Sequence, residues 1–296
     1  MLVAQALRAA TQRLAATSDT ARLDAELLMA HALGYTRSDL LLRHMRDPAP
    51  AGFAALVERR AAHEPVAYIT AHAEFYSLNL RITPAVLIPR GDSEVVVEAA
   101  LALAPPPGRI LDLGTGSGAL LLAVLAQLPD ARGVALDRSA EALAVAVDNA
   151  RRLALAERVD ARLADWHRPG WADDLPAFDL VLCNPPYVQD DAPLAPSVRD
   201  YEPAGALFAG ADGLDDYRVL LPQLSDLLNP DGVAVFEIGA TQADAVAAMA
   251  HGHGFATELR HDLAKRPRAL ILRRWAGRGA KRDNARKALG KQSRRR

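Results

Sequence analysis

The 296-residue sequence predicts an α/β fold, with a doubly wound, mostly parallel sheet and a small helical domain at the amino terminus. From Arg109 onward, short apolar segments alternate with helical segments, as parallel strands joined by crossover helices require. Several of these apolar segments have no polar face, which is typical of strands covered on both sides. Half of the residues are hydrophobic, so a chain of this length can bury a large core.

Residues 1–72 are predicted to form an N-terminal helical substrate-binding domain. One helical face carries Leu2, Ala6, Leu7, Ala10 and Leu14. Gly34 ends a second helix, and Ser38 is expected to cap a third from Asp39 to His44. The segment up to residue 70 has eight Arg and seven Asp or Glu without a basic stripe, which argues against a nucleic-acid-binding module. A partner-binding cap and simple packing onto the main domain are the two interpretations.

Residues 73–104 are predicted to connect the domains through a hairpin and a helix. The stretch Glu74–Thr83 alternates apolar and polar residues, which indicates strand or hairpin structure. Asp92 or Ser93 is expected to cap the helix Glu94–Leu103.

The main domain, residues 105–275, is predicted to begin with a strand, Arg109–Leu113, that leads into a glycine-rich turn. The residues of the turn are Gly114, Thr115, Gly116, Ser117 and Gly118. A helix, Ala119–Gln127, follows. Glycines allow a ligand to approach the backbone, and the helix amino terminus offers free N–H groups. The spacing differs from the Gly-x-Gly-x-x-Gly pattern of dinucleotide binders, so no pyrophosphate seat is predicted.

An acid ends the next predicted strand, Arg132–Leu136. This acid, Asp137, follows the glycine turn by about 20 residues, a spacing at which an acid accepts hydrogen bonds from ribose hydroxyls. Helix capping is the alternative, because Asp137 and Ser139 precede another helix. The combination of glycine turn and acid favours ribose binding.

A third predicted strand, Val159–Leu163, precedes Asp165 and Trp166. Asp165 could accept a hydrogen bond from an adenine amine, and Trp166 could cover the face of the base. An ordinary loop with an exposed acid and an anchoring ring is the alternative interpretation.

The predicted strand Asp179–Cys183 ends at a rigid polar turn made of Asn184, Pro185, Pro186 and Tyr187. Pro185 cannot donate a hydrogen bond to a neighbouring strand, so the strand must end by Asn184. Open α/β sheets bind ligands at this carboxyl edge. The Asn184 side-chain oxygen and the Pro185 carbonyl offer two acceptors to one –NH₂ group, which suits a planar amine or amide. A purely structural turn is the alternative.

The rest of the domain continues the alternation of elements. Gln189–Leu214 is a long stretch without clear periodicity and is a candidate substrate loop. The predicted elements after it are the helix Leu214–Leu228, the strand Gly232–Ile238, the helix Ala243–Met249 and the strands Phe255–Leu259 and Ala269–Leu272.

Charge and composition exclude several classes of protein. Residues 276–296 contain nine Lys or Arg and one Asp, which predicts a basic disordered tail. Contact with the ribosome or RNA, and a solvated tail without a role, are the two interpretations of it. Because the whole chain has a net charge of −1, the remainder is acidic. The single cysteine, Cys183, excludes internal disulfides and is assigned to the core. No metal site is predicted. No membrane span is predicted either, so a cytoplasmic protein is expected, and the chain is expected to be a monomer.

Several of these motifs occur together in one known family. The sequence DLGTGSG, Asp137, Asp165–Trp166 and NPPY together resemble class I methyltransferases that use S-adenosylmethionine. The sequence LIPRGDSE and the helical amino-terminal segment extend the likeness over residues 1–275. With them the chain resembles the protein glutamine-N5 methyltransferases, and among these the release factor glutamine methyltransferase family. Gly91 and Ser93 depart from the Pro and Thr usual in that family.

The resemblance implies a role for each motif. Residues 105–275 would be the methyltransferase domain, with S-adenosyl-L-methionine as cofactor. Gly114–Gly118 would lie against its methionine part, Asp137 would bind its ribose and Trp166 would border its adenine. Asn184–Tyr187 would hold the glutamine in the Gly-Gly-Gln loop of a peptide-chain release factor. Asn184, which would also touch the cofactor, and Pro185 would be the catalytic residues.

Three other functions are compatible with parts of the sequence. A ribosomal-protein glutamine methyltransferase typically has Ser-Pro after the Pro-Arg pair, whereas this chain has Gly91–Glu94. An adenine-amino DNA methyltransferase would use the same two acceptors on a flipped base, but it needs a target-reading surface that an acidic globular part does not offer. A non-catalytic ribosome-associated factor is the third alternative.

Overall fold

The computed structural model describes residues 1–275, which divide into two compact units. The first comprises Met1–Ala73, Arg81–Ile88 and Pro193–Ala204, and the second comprises Glu74–Leu80, Pro89–Ala192 and the chain from Gly205. The predicted tail, residues 276–296, lies outside the described residues. In the described part of the chain, every helix is too short or too polar to cross a bilayer.

The first unit contains five helices within its described residues up to Thr70. They are α1 (Val3–Leu14), α2 (Ala21–Leu33), α3 (Arg37–Arg43), α4 (Phe53–Ala61) and α5 (Val66–Thr70). One face of α1 is buried as its periodicity predicts, although the face begins at Val3 because Leu2 is exposed. Gly34, in the left-handed region, ends α2. The prediction that Ser38 caps α3 is wrong, because the Thr36 hydroxyl accepts the Asp39 N–H at 3.1 Å.

A hairpin and a helix lead to the main sheet. Strands β1 (His72–Phe75) and β2 (Leu78–Arg81) form the hairpin around a two-residue turn. Helix α6 (Glu94–Leu101) then follows a short 3₁₀ segment, Gly91–Ser93. The predicted capping of α6 is wrong, since neither candidate side chain caps it. Ser93 is buried, and the Asp92 carboxylate accepts hydrogen bonds from Arg266 and Arg268 instead.

The second unit is built on a seven-stranded sheet within the described residues. Its strands are β3 (Arg109–Leu113), β4 (Arg132–Asp137), β5 (Val159–Leu163), β6 (Phe178–Cys183), β7 (Leu228–Glu237), β8 (Phe255–His261) and β9 (Pro267–Arg274). Their order is β5-β4-β3-β6-β7-β9-β8, and in this described sheet β9 alone runs in the direction opposite to the other six strands. The predicted doubly wound, mostly parallel sheet is confirmed.

Helices of the second unit connect and cover the strands. They are α7 (Ala119–Gln127), α8 (Ala140–Arg152), α10 (Asp215–Leu227) and α11 (Ala243–Gly252). The short α9 (Pro196–Arg199) belongs to the first unit. The inner strands are nearly all apolar and fully buried, so the sheet's centre forms much of the core. Strand β7 begins at Leu228, earlier than the predicted Gly232.

The strand register brings several residues to one edge. Leu113 of β3 pairs with Leu136 of β4 and with Cys183 of β6, and Cys183 pairs with Phe236 of β7. The residue after each of these four therefore lies at the carboxyl edge of the sheet. In spatial order these residues are Asp137, Gly114, Asn184 and Glu237.

Candidate active site

The glycine turn after β3 has a backbone that only glycine adopts without strain at several positions. Gly114, Gly116 and Gly118 have φ values of +70°, +54° and +82°. A Cβ on Gly114 would lie 3.1 Å from the ring of Trp166, whereas a Cβ on Gly116 would meet no atom within 4 Å. The turn is thus packed against the core on one side and open at Gly116.

Asp137 at the end of β4 holds this turn in place. Its Oδ2 accepts the Gly116 N–H and its Oδ1 accepts the Ser139 N–H, both at 2.9 Å. Ser139 itself caps α8, accepting the Ala142 N–H at 3.1 Å. Asp137 is therefore not the side chain that caps this helix. Each carboxylate oxygen can accept a further hydrogen bond, so the arrangement leaves capacity for ribose hydroxyls.

A buried acid directly before the glycine turn was not predicted to belong to the site. Asp112 is fully buried in β3, and its Oδ2 accepts the Thr115 hydroxyl at 2.6 Å. Burial raises the pKa of Asp112 to about 7, an effect that the negative charge of Asp137 increases and the Thr115 hydroxyl opposes. The signal in the sequence was an acid inside an apolar strand, directly before the glycines.

The other polar residue of the turn, Ser117, is also buried. Its carbonyl accepts the side-chain amide of Asn149, which is buried in α8, at 2.9 Å. The hydroxyl of Thr115 and the carbonyl of Ser117 therefore both tie the turn to the surrounding protein. Their predicted contacts with a cofactor stay predictions.

Trp166 is almost fully buried, with its ring against Gly114. Its indole N–H donates to Asp216 Oδ1 at 2.7 Å, and His167 Nε2 lies 3.0 Å from the same oxygen. The nearby Asp165 accepts the His167 N–H. Trp166 thus supports the glycine turn from the core. Its predicted place beside adenine stays a prediction.

The Asn184–Tyr187 turn follows β6 at the same edge. Pro185 and Pro186 are buried, and Asn184 and Tyr187 are half-buried. The Tyr187 hydroxyl donates to Glu237 Oε1 at 3.1 Å. Burial and the negative charge of Glu237 raise the pKa of Tyr187, so the phenol stays protonated.

Cys183, the last residue of β6, is fully buried. Burial raises the pKa of its thiol well above the usual value. A thiol that resists ionisation is a poor nucleophile, which agrees with the predicted core role.

These placements bring most of the predicted site together. The glycine turn lies between Asp137 on one neighbouring strand and the Asn184–Tyr187 turn on the other. An open turn with a neighbouring acid suits a nucleoside-containing ligand, and the adjacent turn offers two acceptors to an –NH₂ group.

Two models of known protein families match the two parts of the chain. Residues 5–70 match the family model described as PrmC N-terminal domain, and residues 106–258 match a methyltransferase domain.

Individual relatives are similar to this chain over most of its length. A release factor glutamine methyltransferase of Cereibacter sphaeroides is 43% identical over 281 residues, which cover 92% of this chain and 99% of the relative. Relatives of the same name from Moorella thermoacetica and Rhodospirillum rubrum are 45% and 42% identical, covering 86% of this chain in both cases and 91% and 79% of their own lengths. On this similarity, the chain belongs to the release factor glutamine methyltransferase family.

Proposed function

We propose that this protein transfers a methyl group from S-adenosyl-L-methionine to the side-chain amide nitrogen of the glutamine in the Gly-Gly-Gln loop of peptide-chain release factors. The observation that carries the proposal is the position of the Asn184–Tyr187 turn directly beside the glycine turn, since Cys183 and Leu113 are paired. The relatives' shared name supports release factors as the substrate.

The residues present fit the cofactor. The open side at Gly116 leaves room for a ligand against the backbone, and the Asp137 carboxylate has acceptor capacity for both ribose hydroxyls. The fixed turn between Gly114 and Gly118 would support the methionine part. When bound, S-adenosylmethionine supplies a methyl group attached to a positively charged sulfur, which makes that methyl electrophilic.

Under this proposal, the Asn184–Tyr187 turn makes the side-chain amide nitrogen of the substrate glutamine reactive. Amide nitrogens are poor nucleophiles because their lone pair is delocalised into the carbonyl. The Asn184 side-chain oxygen and the Pro185 carbonyl would accept the two N–H bonds, orient the nitrogen and stabilise the positive charge that develops on it. Orientation of this kind contributes up to about 7 to 11 kcal/mol to the lowering of a barrier.

The remaining parts of the chain receive roles under the same proposal. We assign release-factor binding to residues 1–72, connection to residues 73–104 and cofactor binding to residues 105–275. The reaction would take place in the cytoplasm, where release factors act. Contact with ribosomal RNA is assigned to residues 276–296, whose charge suits an RNA backbone.

Mass spectrometry of a purified release factor incubated with the protein and S-adenosylmethionine tests the proposal. One added methyl on the Gly-Gly-Gln glutamine is expected. Methyl transfer only to a ribosomal protein, only to adenine in DNA, or to none of these substrates would contradict it.

Asn184 variants separate amide recognition from turn structure. Asn184→Ala is expected to lower kcat about 10²- to 10³-fold while cofactor affinity changes little. Asn184→Asp keeps an acceptor but adds charge beside the sulfonium, so it should bind S-adenosylmethionine and methylate slowly. Parent-level turnover in both variants, with only thermal stability reduced, would mean that glutamine is held elsewhere.

A further inference from the structure

The segment Glu237–Gln242 contacts Tyr187 at both of its polar ends. Glu237 Oε1 accepts the phenol hydroxyl at 3.1 Å, and the Gln242 side-chain amide donates to the Tyr187 carbonyl at 3.0 Å. The first hydrogen bond holds the Tyr187 ring and the second holds its main chain. Together they fix both the rotamer and the backbone of the last residue of the Asn184–Tyr187 turn.

The Gln242 side chain is itself held by three hydrogen bonds. Its Oε1 accepts the Gly239 N–H at 2.9 Å, and its Nε2 donates to the carbonyls of Tyr187 and Gly213 at 3.0 and 3.1 Å. Gly213 has a φ of +70°, and a Cβ there would overlap the Tyr187 carbonyl oxygen. The close approach of these segments therefore depends on a glycine at position 213 and on the Gln242 amide, whose two N–H bonds are both donated to main-chain carbonyls.

The buried carboxyl group of Glu237 is unfavourable for the stability of the folded protein. It is 2% exposed, and its Oε2 is buried without a hydrogen-bond partner in the described part of the chain. Burial raises the pKa of Glu237, while the Ser93 hydroxyl and the Arg268 guanidinium lower it. A buried oxygen without a hydrogen-bond partner destabilises the folded protein. A cost of this kind calls for an explanation, and the contact with Tyr187 offers one.

We infer that Glu237 and Gln242 are positioning residues for the amide-binding turn: they hold Tyr187 so that the acceptors of Asn184 and Pro185 stay aimed at the substrate –NH₂ group. The inference rests on the proposed function, which it extends to two residues outside the turn. Neither residue touches the reacting atoms; both act through Tyr187. Register supports this coupling, because β6 and β7 end side by side just before Asn184 and at Glu237.

The test compares kcat, KM for a release factor and S-adenosylmethionine affinity in the full-length protein. Tyr187→Phe, Glu237→Ala and Gln242→Ala each remove one of the two hydrogen bonds described for Tyr187, and each is expected to lower kcat about 3- to 10-fold. Cofactor affinity should stay within about twofold, since the glycine turn and Asp137 are unchanged. Glu237→Gln, which keeps an acceptor for the phenol, should recover most of the lost kcat.

Two exposed neighbours provide matched controls. Thr241→Ala and Asp244→Ala change the same loop and helix without removing a contact to Tyr187, and both should retain parental kcat. The double variant Tyr187→Phe/Glu237→Ala should lose no more kcat than either single variant, because both remove the same bond.

Different outcomes overturn different statements. A parent protein that does not methylate a release factor overturns the proposed function and this inference with it. An active parent whose Tyr187→Phe and Gln242→Ala variants keep full kcat overturns the inference alone, as do multiplicative losses in the double variant. Tyr187→Phe removes only a hydroxyl, so the inference stays testable even if Glu237→Ala does not fold.

Discussion

Replacing Asp112 by Asn is expected to change how folding stability depends on pH. Burial raises the pKa of Asp112 from 3.8 to about 7 in the folded protein, so between these values the folded state holds a proton that the unfolded state has lost. The contribution to stability is therefore complete below about pH 4 and is lost as the pH rises towards 7. Asn is neutral throughout and lacks this dependence.

The size of the effect follows from the pKa. At 1.36 kcal/mol for each pH unit, the interval from pH 5 to pH 7 corresponds to about 3 kcal/mol. The stability of Asp112→Asn relative to the parent should therefore increase by about 3 kcal/mol between pH 5 and pH 8. The Asn side-chain oxygen can still accept the Thr115 hydroxyl, which limits the pH-independent change.

Urea denaturation followed by tryptophan fluorescence measures this difference. All three tryptophans, Trp166, Trp171 and Trp275, belong to the unit that contains the sheet, so the signal reports its unfolding. The exposed Asp130 provides the control, since Asp130→Asn should follow the parent at both pH values. A constant difference between Asp112→Asn and the parent from pH 5 to pH 8 would refute the reasoning.

Three further outcomes are expected. Asp137→Ala should weaken S-adenosylmethionine binding about 10- to 100-fold by calorimetry, because charge-assisted hydrogen bonds to ribose would be lost; equal affinities would leave Asp137 only its role in holding the turn. Gly213→Ala should lower the free energy of unfolding by about 1–3 kcal/mol, because residue 213 has a positive φ and a Cβ there would overlap the Tyr187 carbonyl. Gly52→Ala is the control, since a Cβ at Gly52 would meet open space and should not lower stability. Similar losses in the two variants would contradict the predicted strain and overlap at Gly213. Ending the chain after Trp275 should leave kcat on a purified release factor unchanged, and loss of turnover would place residues 276–296 in the catalytic machinery.

Local signals in the sequence were sufficient for the elements around the site. Strand β3, helix α7 and strand β5 have their predicted limits, because a continuous apolar run and a glycine break depend on neighbouring residues alone. The proline pair of the Asn184–Tyr187 turn likewise ends β6 as predicted, since proline cannot join a strand ladder.

Local signals failed to identify the capping residues of two helices, α3 and α6. Thr36 caps α3 instead of Ser38, although both side chains are able to cap a helix. Asp92 was a candidate cap for α6, but it pairs with Arg266 and Arg268, which lie 174 and 176 residues away in the sequence. A capping preference cannot anticipate a partner that only the folded sheet supplies.

The sequence by itself determined the order of strands and helices, the open glycine turn and the rigid polar turn, because each depends on the conformational preferences of consecutive residues. Only the tertiary structure assigned Asp112, Glu237 and Gln242 their places. Glu237 and Gln242 contact Tyr187 across 50 and 55 residues, and Asp112 owes its raised pKa to burial beneath the glycine turn. The apolar strand around Asp112 indicated its burial, but the hydrogen bonds of Glu237 and Gln242 to Tyr187 arise only when the parallel strands align their carboxyl ends, so no pattern of neighbouring residues contains them.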